Sequence, residues 1–181
     1  LEFRRVLFRS ENKTTGLVPD PTALGGQMRG GIEAAKYFEW GGLNSDLTNG
    51  FTSNGINNHS GWTSPIHQLF VNFGVTAVFH GHDHLYAKQV LDGIIYQEVP
   101  QPSAAATDTT TMNNLATSAG YLSGTLLPSS GHLRVTVTPT GGVKSEYVRS
   151  WLPACNNPNF TQSCETGSHK NREVADTWTV P

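Results

Sequence analysis

The sequence predicts an α/β fold, and three segments carry this prediction. Residues 64–73 place apolar side chains at the spacing of one helix face, and a glycine follows directly. Residues 75–79 form an unbroken apolar run, which is typical of a parallel strand buried on both faces. Helix, tight glycine turn and buried strand make half of a βαβ unit, and the alternating residues 132–151 add a β-hairpin.

The helix that precedes the apolar strand has recognisable ends. Ser64 is expected to cap it, Pro65 occupies the favoured first position, and Gly74 ends it. Upstream, residues 31–40 predict a shorter helix that stops at a pair of glycines. Residues 43–62 are rich in Asn, Gly, Ser and Thr and predict a long loop.

Downstream of the apolar strand, the chain predicts mostly β-structure. Residues 93–99 follow an Asp-Gly turn signal and are expected to lie beside the first strand. Residues 100–131 are rich in Pro, Ser, Thr and Gly, with one helical turn expected around Met112–Ala116. A last short strand is expected near Asp176–Val180.

Composition and charge exclude several classes of protein. The chain has 181 residues, 36% of them hydrophobic and 14% charged, which suits a globular domain with one sizeable core. A formal charge of -2 leaves no basic footprint for a nucleic acid. No apolar run is long enough to predict a membrane span. Nothing in the pattern predicts an oligomeric state.

The first ten residues, LEFRRVLFRS, need separate treatment. They resemble the translation of a common sequencing adapter, so residues 1–10 are interpreted as a non-native scar and residues 11–181 as the domain. The alternative is a short basic native tail. On the scar interpretation the natural gene was cut upstream of Glu11, and we expect the domain to be incomplete.

The two cysteines bear on the compartment. Cys155 and Cys164 lie in a polar loop, where such a pair can close a small surface disulfide or stay reduced. A disulfide favours an oxidising compartment. We therefore expect a secreted or periplasmic protein.

Histidines follow the apolar strand directly, as His80, His82 and His84. Ligands of α/β sheets gather beyond the carboxyl ends of the strands. Neutral imidazole is a common ligand of zinc, iron and manganese, and Gly81 allows the sharp bend that would let neighbouring histidines approach ions. The alternative is that these histidines only cap the strand through local hydrogen bonds.

The motif Gly81-His82-Asp83-His84 after a hydrophobic strand resembles the last signature block of the calcineurin-like metallophosphoesterases. The following HLYA resembles purple-acid-phosphatase-type members, and a looser likeness covers residues 26–181. The resemblance implies the C-terminal half of a four-layer α/β/β/α sandwich that ends in a β-hairpin. It also implies that His82 and His84 each ligate one ion of a dinuclear centre of Zn, Fe or Mn.

The function that the resemblance implies is metal-dependent hydrolysis of a phosphoester. Two cations would hold a hydroxide, aim it in line at phosphorus and neutralise the phosphoryl oxygens. The family's other ligand blocks, Asp-x-His, Gly-Asp-x-x-Asp and Gly-Asn-His-Asp/Glu, lie upstream of the last block and have no match here. We therefore expect the intact parent to be a phosphatase or phosphodiesterase, and this fragment to bind metal weakly and to be inactive alone.

Three further residues are candidates for supporting roles. His80 would orient a metal ligand or a phosphoryl oxygen without binding the ion, or is only a packed histidine at the end of the strand. Asp83 would orient a neighbouring imidazole, or is only exposed to solvent. Arg29 would bind a substrate phosphate through two parallel N–H bonds. The alternative is that Arg29 is a surface arginine in a loop.

Two rival interpretations stay open. One is a non-catalytic carbohydrate- or protein-binding module, favoured by the Asn/Gly-rich loops together with Trp40 and Trp62. The other is a mononuclear metal protein of cupin type, in which a downstream strand supplies a third ligand and Glu98 is the first candidate. The first predicts no dependence on metal, whereas the second predicts one ion.

Overall fold

The computed structural model describes residues 31–36, 38–43, 64–102, 108–151, 164–165 and 169–181. Residues 1–10, Arg29, Trp62 and Cys155, on which sequence predictions fall, lie outside these ranges. The elements are, in chain order, α1 Gly31–Ala34, α2 Phe38–Gly41, α3 Ile66–Asn72, β1 Ala77–His80, β2 Tyr86–Leu91, β3 Ile94–Glu98, α4 Thr109–Ala119, β4 Thr125–Leu127, β5 Gly131–Val137, β6 Val143–Arg149 and β7 Val174–Val180.

The first sheet has four strands in the order β1-β3-β2-β4. Strand β3 lies beside β1, as the sequence predicted. The two strands pair in parallel, and this pairing sets His80 opposite Glu98. Strands β2 and β3 form an antiparallel hairpin whose turn is Asp92-Gly93. Asp92 and Gly93 have φ values of 49° and 81°. A two-residue turn with positive φ at both positions matches the right-handed twist of the flanking strands, which is why Asp-Gly occupies it.

The second sheet is antiparallel and has three strands in the order β5-β6-β7. The predicted hairpin is confirmed as β5 and β6, with Gly131 opposite Arg149 at its open end. The predicted last strand is confirmed as β7, which pairs with β6 and begins slightly earlier than expected, at Val174. The register shifts between Tyr147 and Val148, where β6 meets β7.

The first sheet is covered differently on its two faces. Val78 and Tyr96 pack in one core cluster with residues of α1, α2 and α3. Side chains alternate along a strand, so Phe79 and Gln97 point the other way. They meet Trp178 of the second sheet, whose indole N–H donates to Gln97 Oε1 at 2.8 Å. Helices therefore lie on one face of the four-stranded sheet and the three-stranded sheet on the other.

The apolar core on the helical face has two parts. Helix α4 packs on β2 in a cluster of Leu85, Ala87, Met112, Ala116, Ala119 and Tyr121. The N-terminal helices pack on β1 and β3 in a second cluster of Ala35, Trp40, Val78, Ile94 and Tyr96. Helix α4 is held at both ends, because Asp108 Oδ1 accepts from Thr111 N–H at 2.8 Å and Gly120 closes it with φ 89°.

Several details differ from the sequence prediction. Ser64 does not cap α3: the N-cap residue is Pro65, and no side chain bonds to the helix start. The predicted helix over residues 31–40 is two short helices, and the helical turn expected near Met112 is part of the longer α4. Strands β2 and β4 were not predicted. Burial along β1 alternates between intermediate and full, so this strand is not buried evenly on both faces.

The fold class is mixed α/β, with a four-stranded and a three-stranded sheet and few helices among the described residues. The four-layer sandwich that the resemblance implies is not established, because a second helical layer does not occur in the described ranges. Cys164 is disulfide-bonded, and the sequence holds one other cysteine, Cys155, outside the described residues.

Candidate metal site at the end of the first strand

The candidate site lies at the carboxyl end of β1. His80 is the last residue of β1, and Glu98, its register partner, is the last residue of β3. Because the two strands are parallel, both carboxyl ends reach the same edge of the sheet. The Val99 N–H donates to the His80 carbonyl oxygen at 2.7 Å and keeps the strand ends together. The loop of residues 81–84 leaves from this edge, where α/β sheets hold their ligands.

His82 and His84 are the two histidines of this loop that face solvent. Their φ values are 135° and 54°, in the positive region that only a few per cent of residues other than glycine adopt. Gly81 does not have a φ in this region, so the prediction that Gly81 provides the bend is wrong. The sharp turns of the backbone lie at the two candidate ligands themselves.

A carboxylate fixes one nitrogen of His82. His82 Nδ1 lies 3.2 Å from Asp83 Oδ1, and the His82 side chain is 46% exposed. Asp83 is only 4% exposed. The alternative of a solvent-exposed aspartate is therefore wrong, and the structure shows a buried carboxylate beside the His82 imidazole. Metal-ligating histidines usually have a carboxylate or carbonyl on the second nitrogen. This arrangement leaves Nε2 as the atom of His82 that would bind an ion.

His80 is buried and points into the protein. Its Nδ1 lies 2.5 Å from Glu98 Oε2, and the two side chains are 2% and 0% exposed. The other oxygen of Glu98, Oε1, accepts the backbone N–H of Asp83 at 2.9 Å. Both oxygens of Glu98 thus have partners within the protein. Its side chain is fully buried, and no group of three donors that includes it occurs among the described residues, so the structure does not favour Glu98 as the third ligand of a mononuclear site.

Tyr121, just beyond α4, closes the cluster. Its O–H lies 3.1 Å from Asp83 Oδ2 and 3.3 Å from Glu98 Oε2, and donates towards both. Burial, reinforced by the negative charges of Glu98 and Asp83, raises the pKa of the Tyr121 phenol well above its ordinary value. The phenol therefore stays protonated at neutral pH, and its O–H bridges two buried carboxylates.

The donor set suits a metal ion only in part. His82 and His84 offer exposed imidazoles. The Asp83 carboxylate lies beside Nδ1 of His82, as a carboxylate commonly does beside the second nitrogen of a metal-binding histidine. Within the described ranges, no three His, Cys, Asp or Glu side chains come close enough together to hold an ion. A complete site requires ligands beyond these two histidines.

The remaining candidates are placed as follows. Arg29 lies outside the described residues, so its contact with a phosphate stays a prediction. Trp40 is 3% exposed and packs edge-on against Phe70, so its ring offers no free face to a sugar. The sequence did not predict that Glu98 and Tyr121 contact Asp83. The one signal for Glu98 was an acidic residue at the end of a predicted strand.

Comparison of the chain with protein-family models, with curated proteins and with solved structures found no match. None of the described helices has the length and apolar character needed to cross a bilayer.

Proposed function

We propose that the protein is a metal-dependent phosphoester hydrolase of the calcineurin-like type, a phosphatase or phosphodiesterase, with His82 and His84 as metal ligands. The motif Gly81-His82-Asp83-His84 supports the proposal by its resemblance to the family's last signature block. The observation that carries it is the pairing of His82 with the buried Asp83 carboxylate, beside a second exposed imidazole, at the carboxyl end of a parallel strand.

The positive φ values of His82 and His84 add support. A residue held in a sparsely populated backbone conformation is destabilising by about 1–3 kcal/mol, and such residues cluster at functional sites. Two of the four non-glycine residues with positive φ in the described ranges fall within this short loop.

Each residue of the loop has a distinct role in the proposal. His82 Nε2 and the His84 ring would each hold one of two ions, and Asp83 would keep the His82 ring turned towards its ion. The ions, when bound, supply an activated water and neutralise the charge of the phosphoryl group. Zn, Fe and Mn all accept such ligands. The further ligands come, by resemblance, from blocks upstream of residue 80.

Two imidazoles alone hold ions weakly. We infer that the 181-residue chain by itself binds such ions weakly and hydrolyses no phosphoester, and that the intact protein is the enzyme. A secreted or periplasmic location is part of the proposal, and the disulfide at Cys164 supports it because disulfides persist in oxidising compartments.

Zinc titration of the isotope-labelled chain, followed by the imidazole C–H signals in NMR spectra, tests the ligand assignment. We expect the His82 and His84 signals to shift together as zinc is added. His82→Ala and His84→Ala should each weaken binding by about tenfold or more, and His132→Ala, which removes an exposed histidine of β5, should not. Unchanged His82 and His84 signals at millimolar zinc would sink the assignment.

Hydrolysis of a generic aryl phosphate tests the second part of the proposal. The chain alone should show no rate above that of the metal ions in buffer. Robust hydrolysis that disappears on His82→Ala would keep the phosphoesterase but contradict the inference that the chain needs further ligands.

A further inference from the structure

Glu98 is the hub of the polar cluster below the candidate site. Its side chain is 0% exposed, and a buried carboxylate requires partners for its oxygens. Oε1 accepts the backbone N–H of Asp83 at 2.9 Å, whereas Oε2 faces His80 Nδ1 at 2.5 Å and the Tyr121 O–H at 3.3 Å. These contacts come from β1, the loop after it and the residue pair that follows α4. Glu98 therefore ties three separate segments to the end of β3.

The bond to the Asp83 amide matters most for the loop. Asp83 stands between His82 and His84, so an acceptor fixed at its N–H sets the peptide that joins it to His82. The Asp83 carboxylate is held as well, by the Tyr121 O–H at 3.1 Å, and it in turn holds His82 Nδ1 at 3.2 Å. An unbroken set of hydrogen bonds runs from Glu98 and Tyr121 through Asp83 to the ring of His82.

The loop needs such a hold because its backbone is strained. His82 and His84 have φ values of 135° and 54°, and a strained conformation persists only where surrounding contacts impose it. Ser129, which follows β4, also holds the loop, because its O–H donates to the His84 carbonyl oxygen at 2.8 Å. The carboxylate of Glu98 supplies the charged, buried acceptor among these contacts, and hydrogen bonds to a charged acceptor are the stronger kind.

We propose that Glu98 is a positioning residue for the two candidate ligands: by accepting the Asp83 N–H it imposes the loop conformation that presents His82 and His84 on one side of the sheet edge. Glu98 touches no ion in this role. The part of the proposal that concerns metal affinity rests on the proposed function, whereas the part that concerns the loop does not.

Two variants of Glu98 separate positioning from general stability. Glu98→Gln keeps an oxygen that can accept the Asp83 N–H, and its amide can donate to Nδ1 of the other His80 tautomer. Glu98→Leu has a similar volume and no acceptor. Glu146→Leu is the matched control, since Glu146 is a buried carboxylate on the three-stranded sheet that binds Arg134 and Lys144.

The first readout is hydrogen exchange of the Asp83 amide, measured by NMR in the metal-free full chain. We expect Glu98→Leu to accelerate this exchange at least tenfold relative to the amides of β3, and Glu98→Gln and Glu146→Leu to leave it within about threefold of the native chain. An Asp83 amide that exchanges at the native rate in a folded Glu98→Leu chain overturns the proposal.

The second readout is zinc titration followed at the His82 and His84 ring signals. Glu98→Leu should weaken zinc binding by about tenfold or more, as changes behind a metal ligand commonly do, while Glu98→Gln restores most of it. Native affinity in Glu98→Leu overturns the role in ligand placement. If the native chain itself takes up no zinc, the proposed function fails, and the Asp83 exchange rate still decides whether Glu98 positions the loop.

A third variant covers the case in which Glu98→Leu does not fold. Tyr121→Phe removes the O–H that contacts Asp83 Oδ2 and Glu98 Oε2, and it leaves the ring in its apolar cluster. Glu98 Oε1, which accepts the Asp83 N–H, is not touched by this change. It should increase the mobility of the Asp83 carboxylate and shift the His82 ring signals, with the Asp83 amide still protected by Glu98. If the Asp83 amide of Tyr121→Phe loses as much protection from exchange as the neighbouring amides do, Glu98 does not hold the loop. That result would overturn the proposal.

Discussion

Tyr86 on β2 stacks on Tyr147 on β6, with ring centroids 4.5 Å apart and ring planes only 4° from parallel. Both rings are buried, at 1% and 0% exposure, and they lie in different sheets. The Tyr86 O–H also donates to Asp176 Oδ2 on β7 at 2.7 Å. The contact between the two sheets therefore combines an apolar stack with a hydrogen bond to a carboxylate.

Truncation of Tyr86 should separate these two contributions. We expect Tyr86→Ala to lower the free energy of unfolding by about 3–5 kcal/mol, as large-to-small changes of buried aromatic residues do. Tyr86→Phe keeps the stack and removes the bond to Asp176, and should lower it by about 1.5–3 kcal/mol. Urea unfolding measures both. Phe73→Ala is the control, because Phe73 is 81% exposed and its loss should change stability by less than about 0.5 kcal/mol. Equal effects of Tyr86→Phe and Phe73→Ala would show that the hydrogen bond contributes nothing.

Acid should weaken the same contact through Asp176. Burial by itself raises the pKa of Asp176, but hydrogen bonds from Lys88 and Tyr86 outweigh it and hold the pKa below its ordinary value. A carboxyl whose folded pKa lies below its unfolded value, about 3.9, stabilises the fold above that pH, and the contribution disappears as the pH falls through the folded pKa.

The native chain should therefore lose more stability than Asp176→Asn between pH 5 and pH 2, and the two should converge at the acid end. Urea midpoints measured across this range give the comparison. Lys88→Met, which removes the cation beside Asp176, should reduce the same acid-dependent part. A difference between native chain and Asp176→Asn that stays constant with pH would contradict the assigned cause.

The positive φ values of His82 and His84 lead to a prediction about stability that can be tested without metal. Glycine adopts positive φ freely, so His82→Gly should be more stable than His82→Ala by about 1 kcal/mol or more, and His84→Gly should exceed His84→Ala by about 1 kcal/mol. Thermal unfolding of the four variants measures the two differences. Gly81→Ala is the control: its φ is ordinary and an added Cβ meets no described atom within 4 Å, so stability should barely change. Alanine variants as stable as the glycine variants would mean that the loop relaxes.

Gly124 should tolerate a side chain far less well than Gly74. Both have positive φ, at 86° and 66°, so alanine at either position is destabilising by about 1 kcal/mol through the backbone alone. An added Cβ at Gly124 would also collide with the carbonyl oxygen of Lys88 on β2, whereas at Gly74 it would meet nothing within 4 Å. Gly124→Ala should thus be clearly the less stable variant in urea unfolding. Equal stabilities would show that the chain near β4 moves away from β2 without loss.

Local sequence patterns predicted a good part of the fold. Helical spacing located α3, the apolar run located β1, and the Asp-Gly signal located the turn before β3. The alternating pattern located the hairpin of β5 and β6. These elements were predictable because their signals lie within a few neighbouring residues. The same is true of the candidate ligands, since a strand that ends in histidines is visible in the sequence.

Strand β2 was not predictable because its polar residues have distant partners. Lys88 pairs with Asp176 of the second sheet, and Gln89 donates to Glu33 Oε2 at 2.8 Å while it accepts from the Ile32 N–H at 3.0 Å. Read locally, these side chains interrupt a hydrophobic strand. Only tertiary contacts show that they are satisfied in the interior.

The sequence by itself determined the positions of α3, β1, β3 and the β5–β6 hairpin, and the position of three imidazoles at a strand end. Only the tertiary structure decided which of them face solvent. His80 is drawn inward by Glu98 on the neighbouring strand, and Asp83 by the same carboxylate and by Tyr121, partners 15 and 38 positions from Asp83 along the chain. The physical reason is that buried polar groups require hydrogen-bond partners, and the fold alone brings those partners together.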